Sequence, residues 1–479
     1  MSVRDFQKQL ALSHTRVGLL IAALLYILCL SGTLLVTQAE WERWQQPEVS
    51  EYSQLPAASG QRALDDFMEA TEEVPERVWL VFPREEQPRG HLTAGDTEYW
   101  LEPNGARGPD VNEGAVHTLA ELHTHLLVPG QLGITLVGIL GVLMLGLTLS
   151  GLLSYRRLFK DAFRARFGSR GPQGQVDLHN RLSVWGLPFH LMIALTGAFF
   201  GVVLLLLALA VPLKYQGNQQ ALIDQVYGSD PVLDQEPAPV NLDRILNTLA
   251  TEAPQASPIY LIWQDPNQRS QYIEVAASLP GRLIYSENYF FDTSGNYLGK
   301  QGMSDGPWGR QLIYSVYRLH FGHFGGLPIK LLYLVMGLSL TVVCVSGINL
   351  WLRKTPRSVR LQSLWAGWVW GTPLALVVAA AMEHGLGTPP LGVLLFTLGL
   401  TLLWASVQQR VPHRRLQRLL ALGILALLLS YGLKHPGWTQ NGAALALNLG
   451  MAASAFWLLW RTRKKLWPAI EATPSTDTP

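Results

Sequence analysis

Seven of the twelve histidines, His14, His123, His125, His179, His190, His320 and His323, lie on or beside four long apolar runs, and the other five sit in loops. Two spacings recur among them. His14 stands 18 residues before the glycine of Ser31-Gly32, and His179 stands 18 residues before that of Thr196-Gly197. His123 and His320, each preceded by Leu, stand 28 and 27 residues before the glycines of Ser150-Gly151 and Ser346-Gly347. Imidazoles on separate helices, at both faces of a bundle, suit axial ligation of a b-type haem, whose iron takes one ring from each side of the macrocycle. The chain has no Cys-x-x-Cys-His, which excludes covalent attachment. The expected ligand sets are His123 with His320 for an outer haem, and His14 with either His179 or His190 for an inner one. Repeat register favours His179; the position of His190 within Leu187-Pro188-Phe189-His190-Leu191-Met192 favours the other, because an ionisable group inside an apolar span is expensive. Two readings compete. An interfacial histidine can simply bond a head group or a backbone carbonyl. Zinc would suit the Leu122-His123-Thr124-His125 and Leu319-His320-Phe321-Gly322-His323 clusters, but of the acidic or Cys partners it needs only Glu121 is near. His125 and His323 are neighbours of the ligands, substrate contacts or solvated interface residues.

The elements that must hold these rings are membrane helices. Hydrophobic residues make up 48% of the 479 and charged ones 15%, below the quarter usual in soluble domains. Apolar runs long enough for a hydrocarbon core of about 30 Å occur at 17–37, 131–154, 182–212, 328–352, 364–382, 391–407, 416–433 and 443–460, the sixth being short. The first exceeds a signal-peptide core and lacks a good cleavage site, so it reads as an anchor. Five segments that alternate with the spans hold 22 of the 37 Lys and Arg residues, which by the positive-inside rule makes them, and both termini, cytoplasmic. Net charge of +2 gives no field for nucleic acid. Cys29 and Cys344 both fall in apolar runs, so neither a disulfide framework nor a Cys-rich metal site is expected.

The fold class expected is a mainly α polytopic membrane protein of about eight helices, with two α+β domains inserted between spans one and two and spans three and four. The divisions are 1–37 (N-terminus and span one), 38–129 (first α+β domain), 130–212 (spans two and three with a basic loop), 213–327 (second α+β domain), 328–355 (span four), 356–465 (four further spans) and 466–479 (tail). Each insertion runs helix, strands, turn: 61–73, 77–82, 98–101 and Pro103-Asn104-Gly105, then 242–252, 259–263, 271–276, 289–292 and Ser294-Gly295. Span, outer domain, span is thus used twice in one orientation. With 182 as the inner edge of a straight third span, His190 lies about 12 Å deeper at 1.5 Å per residue.

At His14-Thr15-Arg16-Val17-Gly18-Leu19, Leu122-His123, Asp177-Leu178-His179-Asn180, Leu187-Pro188-Phe189-His190, Leu319-His320-Phe321-Gly322 and Phe324-Gly325-Gly326 the chain resembles the PepSY-associated transmembrane family over about residues 5–355. The family includes iron-regulated ferric-siderophore reductases of the bacterial inner membrane. The resemblance implies PepSY-like domains in the periplasm, haem b in a four-helix core, and an electron delivered outward to a ferric siderophore held there. Two departures stand out. Tyr155 occupies a place where relatives often have a His for the inner haem, and the last four spans lie outside the match and carry no histidine within a span.

No Gly-x-Gly-x-x-Gly follows a strand and no cytoplasmic segment exceeds about 30 residues, so the electron donor is expected to be quinol or another protein. Ferric substrate is expected to dock in a cleft between the two outer domains, contacting Trp308, Arg310, Tyr314, Tyr317 and Arg318; aromatic residues at that depth also form ordinary interfacial belts. The alternative function is a non-redox binding or sensor protein whose outer domains regulate a partner such as a peptidase.

Overall fold

The computed structural model describes residues 2–112, 114–154, 162, 172–354 and 358–463. The chain forms two compact units. The first comprises residues 1–42, 48–112 and 121–344, the second residues 43–47, 113–120 and 345–479.

In the first unit, α1 (Val3–Leu35), α5 (Gln131–Ser154), α7 (Leu187–Lys214) and the part of α11 (Gly326–Lys354) up to Cys344 supply a helix core. Ile21, Leu25, Leu28 and Cys29 of α1 meet Leu140 and Met144 of α5, Ala194 of α7 and Leu340 of α11. Small residues let α5 and α7 cross closely: a Cβ on Gly138 would lie 2.5 Å from the Gly201 Cα, and one on Gly141 would lie 3.0 Å from the Ala198 Cα. The third span is broken. Helix α6 (Pro172–Trp185) ends before Gly186, and α7 sets off with Pro188 in its first turn, bent by 67° from α6. Proline has no N–H to continue the ladder from α6, and its ring crowds the carbonyl four residues before it. A straight-helix depth for His190 relative to 182 therefore does not hold.

Among the described residues six helices are long and apolar enough to cross a membrane: α1, α5, α11, α12 (Val359–Leu386), α14 (His413–Lys434) and α15 (Gly442–Arg463); the bent pair, counted as one span, would be a seventh. Helix α13 (Pro390–Ser406), the short sixth run, spans only about 25 Å at 1.5 Å per residue. In the second unit α12, α14 and α15 pack through Leu374, Leu420, Ala421, Ile424, Ala455 and Leu458.

Both insertions are α+β, and they are not separate. Helix α2 (Gln38–Gln45) leads to α3 (Ala57–Ala70) and the meander β1 (Arg77–Val81), β2 (His91–Ala94), β3 (Thr97–Leu101) and β4 (Arg107–Asp110), then α4 (Ala115–Thr124). The second insertion repeats this with α8 (Gln219–Tyr227), α9 (Leu242–Glu252), β5 (Ser257–Gln264), β6 (Tyr272–Ser278), β7 (Glu287–Phe291), β8 (Tyr297–Lys300) and α10 (Trp308–Phe321). The two meanders join into one antiparallel sheet, ordered β4-β3-β2-β1-β5-β6-β7-β8. At the junction Val78 faces Trp263 and Leu80 faces Leu261. Helices α3 and α9 cover one face. Ala63, Leu64 and Phe67 of α3, and Leu242, Ile245 and Leu249 of α9, meet the alternating Val78, Leu80, Leu261, Ile273, Val275 and Phe291 of the strands. The closing turns match as well: Gly105, at φ +83°, lies against the Ser59 carbonyl of α3, and Gly295, at φ +86°, lies against Arg244 of α9. A side chain at either place would meet both the strained backbone and the helix.

The two halves thus share one sheet where two apposed domains were expected. A cavity of about 340 Å³ does open within the second half, lined among others by Ser257, Ser278, Arg282, Arg318 and Phe324.

Candidate cofactor site

The polar groups of the four-helix core are built around histidine seats. A serine or threonine inside an apolar helix must spend its hydroxyl hydrogen on its own backbone. Ser31 Oγ donates to the Ile27 carbonyl (2.8 Å), Ser150 Oγ to Leu147 (3.1 Å) and Thr196 Oγ1 to Met192 (2.8 Å). Each hydroxyl then has a lone pair to offer, and the next residue, glycine, leaves space beside it. A histidine from another helix fills that space.

His123 of α4 sits on Ser31-Gly32 of α1. Its Nδ1 lies 3.1 Å from the Leu28 carbonyl and 3.2 Å from Ser31 Oγ, and a Cβ on Gly32 would lie 2.6 Å from its Cε1. His14 of α1 sits on Ser150-Gly151 of α5 in the same manner, with Nδ1 3.0 Å from the Leu147 carbonyl and 3.3 Å from Ser150 Oγ. His320 of α10 sits on Thr196-Gly197 of α7, Nδ1 to Oγ1 at 2.8 Å. His179 of α6 bonds the Val343 carbonyl. Val343 stands three residues before Ser346-Gly347, as Leu28 stands before Ser31-Gly32 and Leu147 before Ser150-Gly151.

These bonds set the tautomer. A carbonyl only accepts, so Nδ1 of His14 and of His123 carries the hydrogen and donates it; Thr196 has already given its hydrogen to Met192, so His320 Nδ1 donates as well. Nε2 is then the lone-pair nitrogen in each ring, the arrangement in which imidazole ligates a metal while its other nitrogen is anchored.

The seats bring two of the rings together. The centroids of His123 and His320 are 6.3 Å apart, with their planes 33° from parallel. An imidazole nitrogen sits about 2 Å from a first-row metal and about 1 Å from its ring centroid, so two rings across one ion have centroids about 6 Å apart. The pair fits a bis-imidazole iron on this measure, and Phe200, 5.4 Å edge-on from His320, adds an apolar wall. Burial pushes His123 down to about 4; burial and the neighbouring His123 push His320 down to about 3, so both rings are neutral at ordinary pH. His14, held on the Leu147 carbonyl, and His179, held on the Val343 carbonyl, are the other two seated rings. His190 is buried beyond the bend, its Nε2 has no hydrogen-bond partner among the described residues, and it packs beside Gly186 and edge-on to Phe189.

Most of the remaining sequence candidates have structural partners. His125 pairs with Glu121 at 3.3 Å and meets the Thr124 hydroxyl. Burial lowers His323, which stacks near Phe321 and Tyr317. Tyr317 lies on Phe321 and against Tyr285. Arg318 donates to the carbonyls of His323, Arg282 and Ile284, and Arg310 to those of Gln301 and Gln225. Tyr314 is half-buried, its carbonyl accepting from the Tyr285 N–H, and Trp308 is exposed at the start of α10. Tyr155 lies outside the described residues.

Two groupings were not expected from the sequence. Cys29 and Cys344 meet, with 3.8 Å between their sulfurs. In the second unit α12 runs past its apolar stretch to include His384, which stacks on Tyr431 at 5.2 Å, while Tyr431 stacks on Trp44 at 4.4 Å and Trp44 Nε1 donates to Asn448. Neither is visible in local spacing, because the partners are far apart along the chain.

Over 286 residues the chain is 30% identical to uncharacterized protein PA4219 of Pseudomonas aeruginosa, an alignment covering 56% of this chain and 71% of that one. A family model described as the PepSY-associated TM region matches residues 11–354, which take in the four-helix core, the whole sheet and all four seated histidines. The chain is a membrane protein and belongs to the PepSY-associated transmembrane family.

Proposed function

We propose that this protein is a haem-dependent reductase of the bacterial inner membrane, passing electrons from quinol or a protein donor to a ferric siderophore on its sheet side and so releasing Fe(II) for uptake. The observation that carries the reading is the pair of facing imidazoles, His123 and His320, each anchored through Nδ1 and 6.3 Å apart. A bound b-type haem supplies one-electron chemistry there. The chain's own contribution is to orient the two rings, keep them neutral and exclude water: Leu28 and Thr196 fix the tautomers, Gly32 and Gly197 give the rings their space, and Phe200 and Phe321 close the site. A second, inner haem would use His14, whose Nδ1 is held by the Leu147 carbonyl, with His179, bonded to the Val343 carbonyl, or His190 as its partner. The two inserted half-domains present the ferric chelate, and weak binding of Fe(II) by hard oxygen ligands drives release.

His123→Ala and His320→Ala are each expected to remove one haem equivalent from a two-haem protein, and Gly32→Val, which pushes a side chain into the His123 ring, is expected to do the same without replacing a ligand. Haem-to-protein ratio and the low-spin visible spectrum measure this; unchanged spectra in all three variants would sink the assignment. Chemically reduced protein mixed anaerobically with ferric siderophores should be reoxidised while a chelator traps Fe(II). If the haem binds but stays reduced with every chelate, the reductase reading fails and the sensor reading replaces it.

A further inference from the structure

We infer that Cys29 and Cys344 form a redox-active dithiol within the helix core, which a lipid-soluble two-electron acceptor of the quinone class closes into a disulfide. These are the chain's two cysteines, they lie on α1 and α11, and they touch: one thiol donates to the other across 3.8 Å. Both occupy the same local frame, Cys29-Leu30-Ser31-Gly32 and Cys344-Val345-Ser346-Gly347. Cys29 follows Leu28, whose carbonyl holds His123, and Cys344 follows Val343, whose carbonyl holds His179. The thiol contact therefore links the turn that seats His123 to the turn that seats His179.

A disulfide needs the sulfurs at about 2.05 Å, so closure takes a shift of under about 2 Å, within reach of side-chain rotation. Two S–H bonds break and one S–S bond forms; two electrons and two protons pass to the quinone, which leaves as quinol. The apolar setting selects the oxidant. A thiol packed among Leu25, Leu28 and Leu340 is shielded from oxidants dissolved in water, whereas a quinone partitions into the lipid around the helices and takes up both the electrons and the protons that the two thiols release. The competing account is that two small side chains merely fill the core. The inference stands apart from the haem reading, since it uses neither histidine pair as oxidant.

The test uses the full-length protein in lipid nanodiscs with decylubiquinone as the probe, followed by unfolding in a maleimide-polymer reagent that adds one gel-shifting tag per free thiol. Untreated protein should take two tags. Quinone-treated protein should take none, lose the mass of two hydrogens, yield a peptide pair joined through Cys29 and Cys344, and recover both tags after dithiothreitol. Cys29→Ser and Cys344→Ser should each keep one tag throughout. Two tags retained by the treated native protein, when diamide removes both from the unfolded chain, would show packing thiols and overturn the inference. So would loss of the remaining tag in the serine variants, which would mark oxidation of single thiols. The same outcome in His123→Ala and His320→Ala protein separates this result from the question of haem binding.

Discussion

Glu274 of β6 points away from the face covered by α3 and α9, and burial, followed by the charge of Asp230, raises its carboxyl to about 7. An acid whose folded pKa is raised holds a proton that the unfolded chain releases. Its contribution is therefore complete below about pH 4.5 and is lost as pH rises through 7, a loss of up to about 3 kcal/mol. Glu274→Gln, neutral at every pH, is expected to flatten this dependence and to exceed the wild type in stability at pH 8 while matching it near pH 5. Denaturant melts at the two pH values measure it; parallel slopes for both proteins would assign the dependence to other groups. Glu287, on the neighbouring strand, has a different office. Its buried carboxylate accepts from the N–H groups of Gly302, Met303 and Ser304 and from the Ser304 hydroxyl, fixing the loop that leads to α10 and hence to His320. Nothing in the sequence marks it, because main-chain donors carry no residue signature. The histidines show a related limit. Their spacing to Ser31-Gly32 or Ser150-Gly151 along the chain was legible, but the pairs are used crosswise: His14 sits on the serine of α5, and the serine of α1 receives His123.

Helices were the most legible elements, since hydropathy alone dictates a span in lipid. The strands 77–82, 98–101, 259–263 and 271–276 were legible from alternation; β4, with the sequence Arg-Gly-Pro-Asp and mostly exposed side chains, has no alternation to show. The bend at Gly186 was hidden for another reason: the apolar run continues unbroken through it, and hydropathy does not register a change of direction. Helix crossings can be tested directly. Gly138→Leu forces a side chain against the Gly201 backbone, which cannot rotate aside as a side chain would, so the variant is expected to lose more than about 3 kcal/mol or fail to fold. Gly146→Leu on the same helix, where a Cβ meets nothing within 4 Å, should be neutral. Melting in detergent and the monodisperse fraction on a sizing column compare the two; equal behaviour would refute the close crossing.

At the scale of the molecule, the duplication was legible but the join between its halves was not. Each insertion carries its own helix and meander, and only the pairing of β1 with β5 makes them one sheet. Residues 1–170 expressed alone should therefore be proteolysed or aggregate, with the β1 edge open, and co-expression of 171–479 should rescue them. Cell-fraction immunoblots read the outcome; a stable, protease-resistant first half would show that it folds independently. The β1–β5 join also imposes a timetable on synthesis. From Val81 to Ser257 the ribosome adds 176 residues, which at about 5–20 residues per second occupies on the order of 10 to 35 s. Throughout that interval the nascent chain carries an open hydrogen-bonding edge of Trp79, Leu80 and Val81, a template for any extended strand it meets. The vulnerable moment in the life of this protein falls before its second half exists, and a chaperone that shields a β-edge for tens of seconds is the help it most needs.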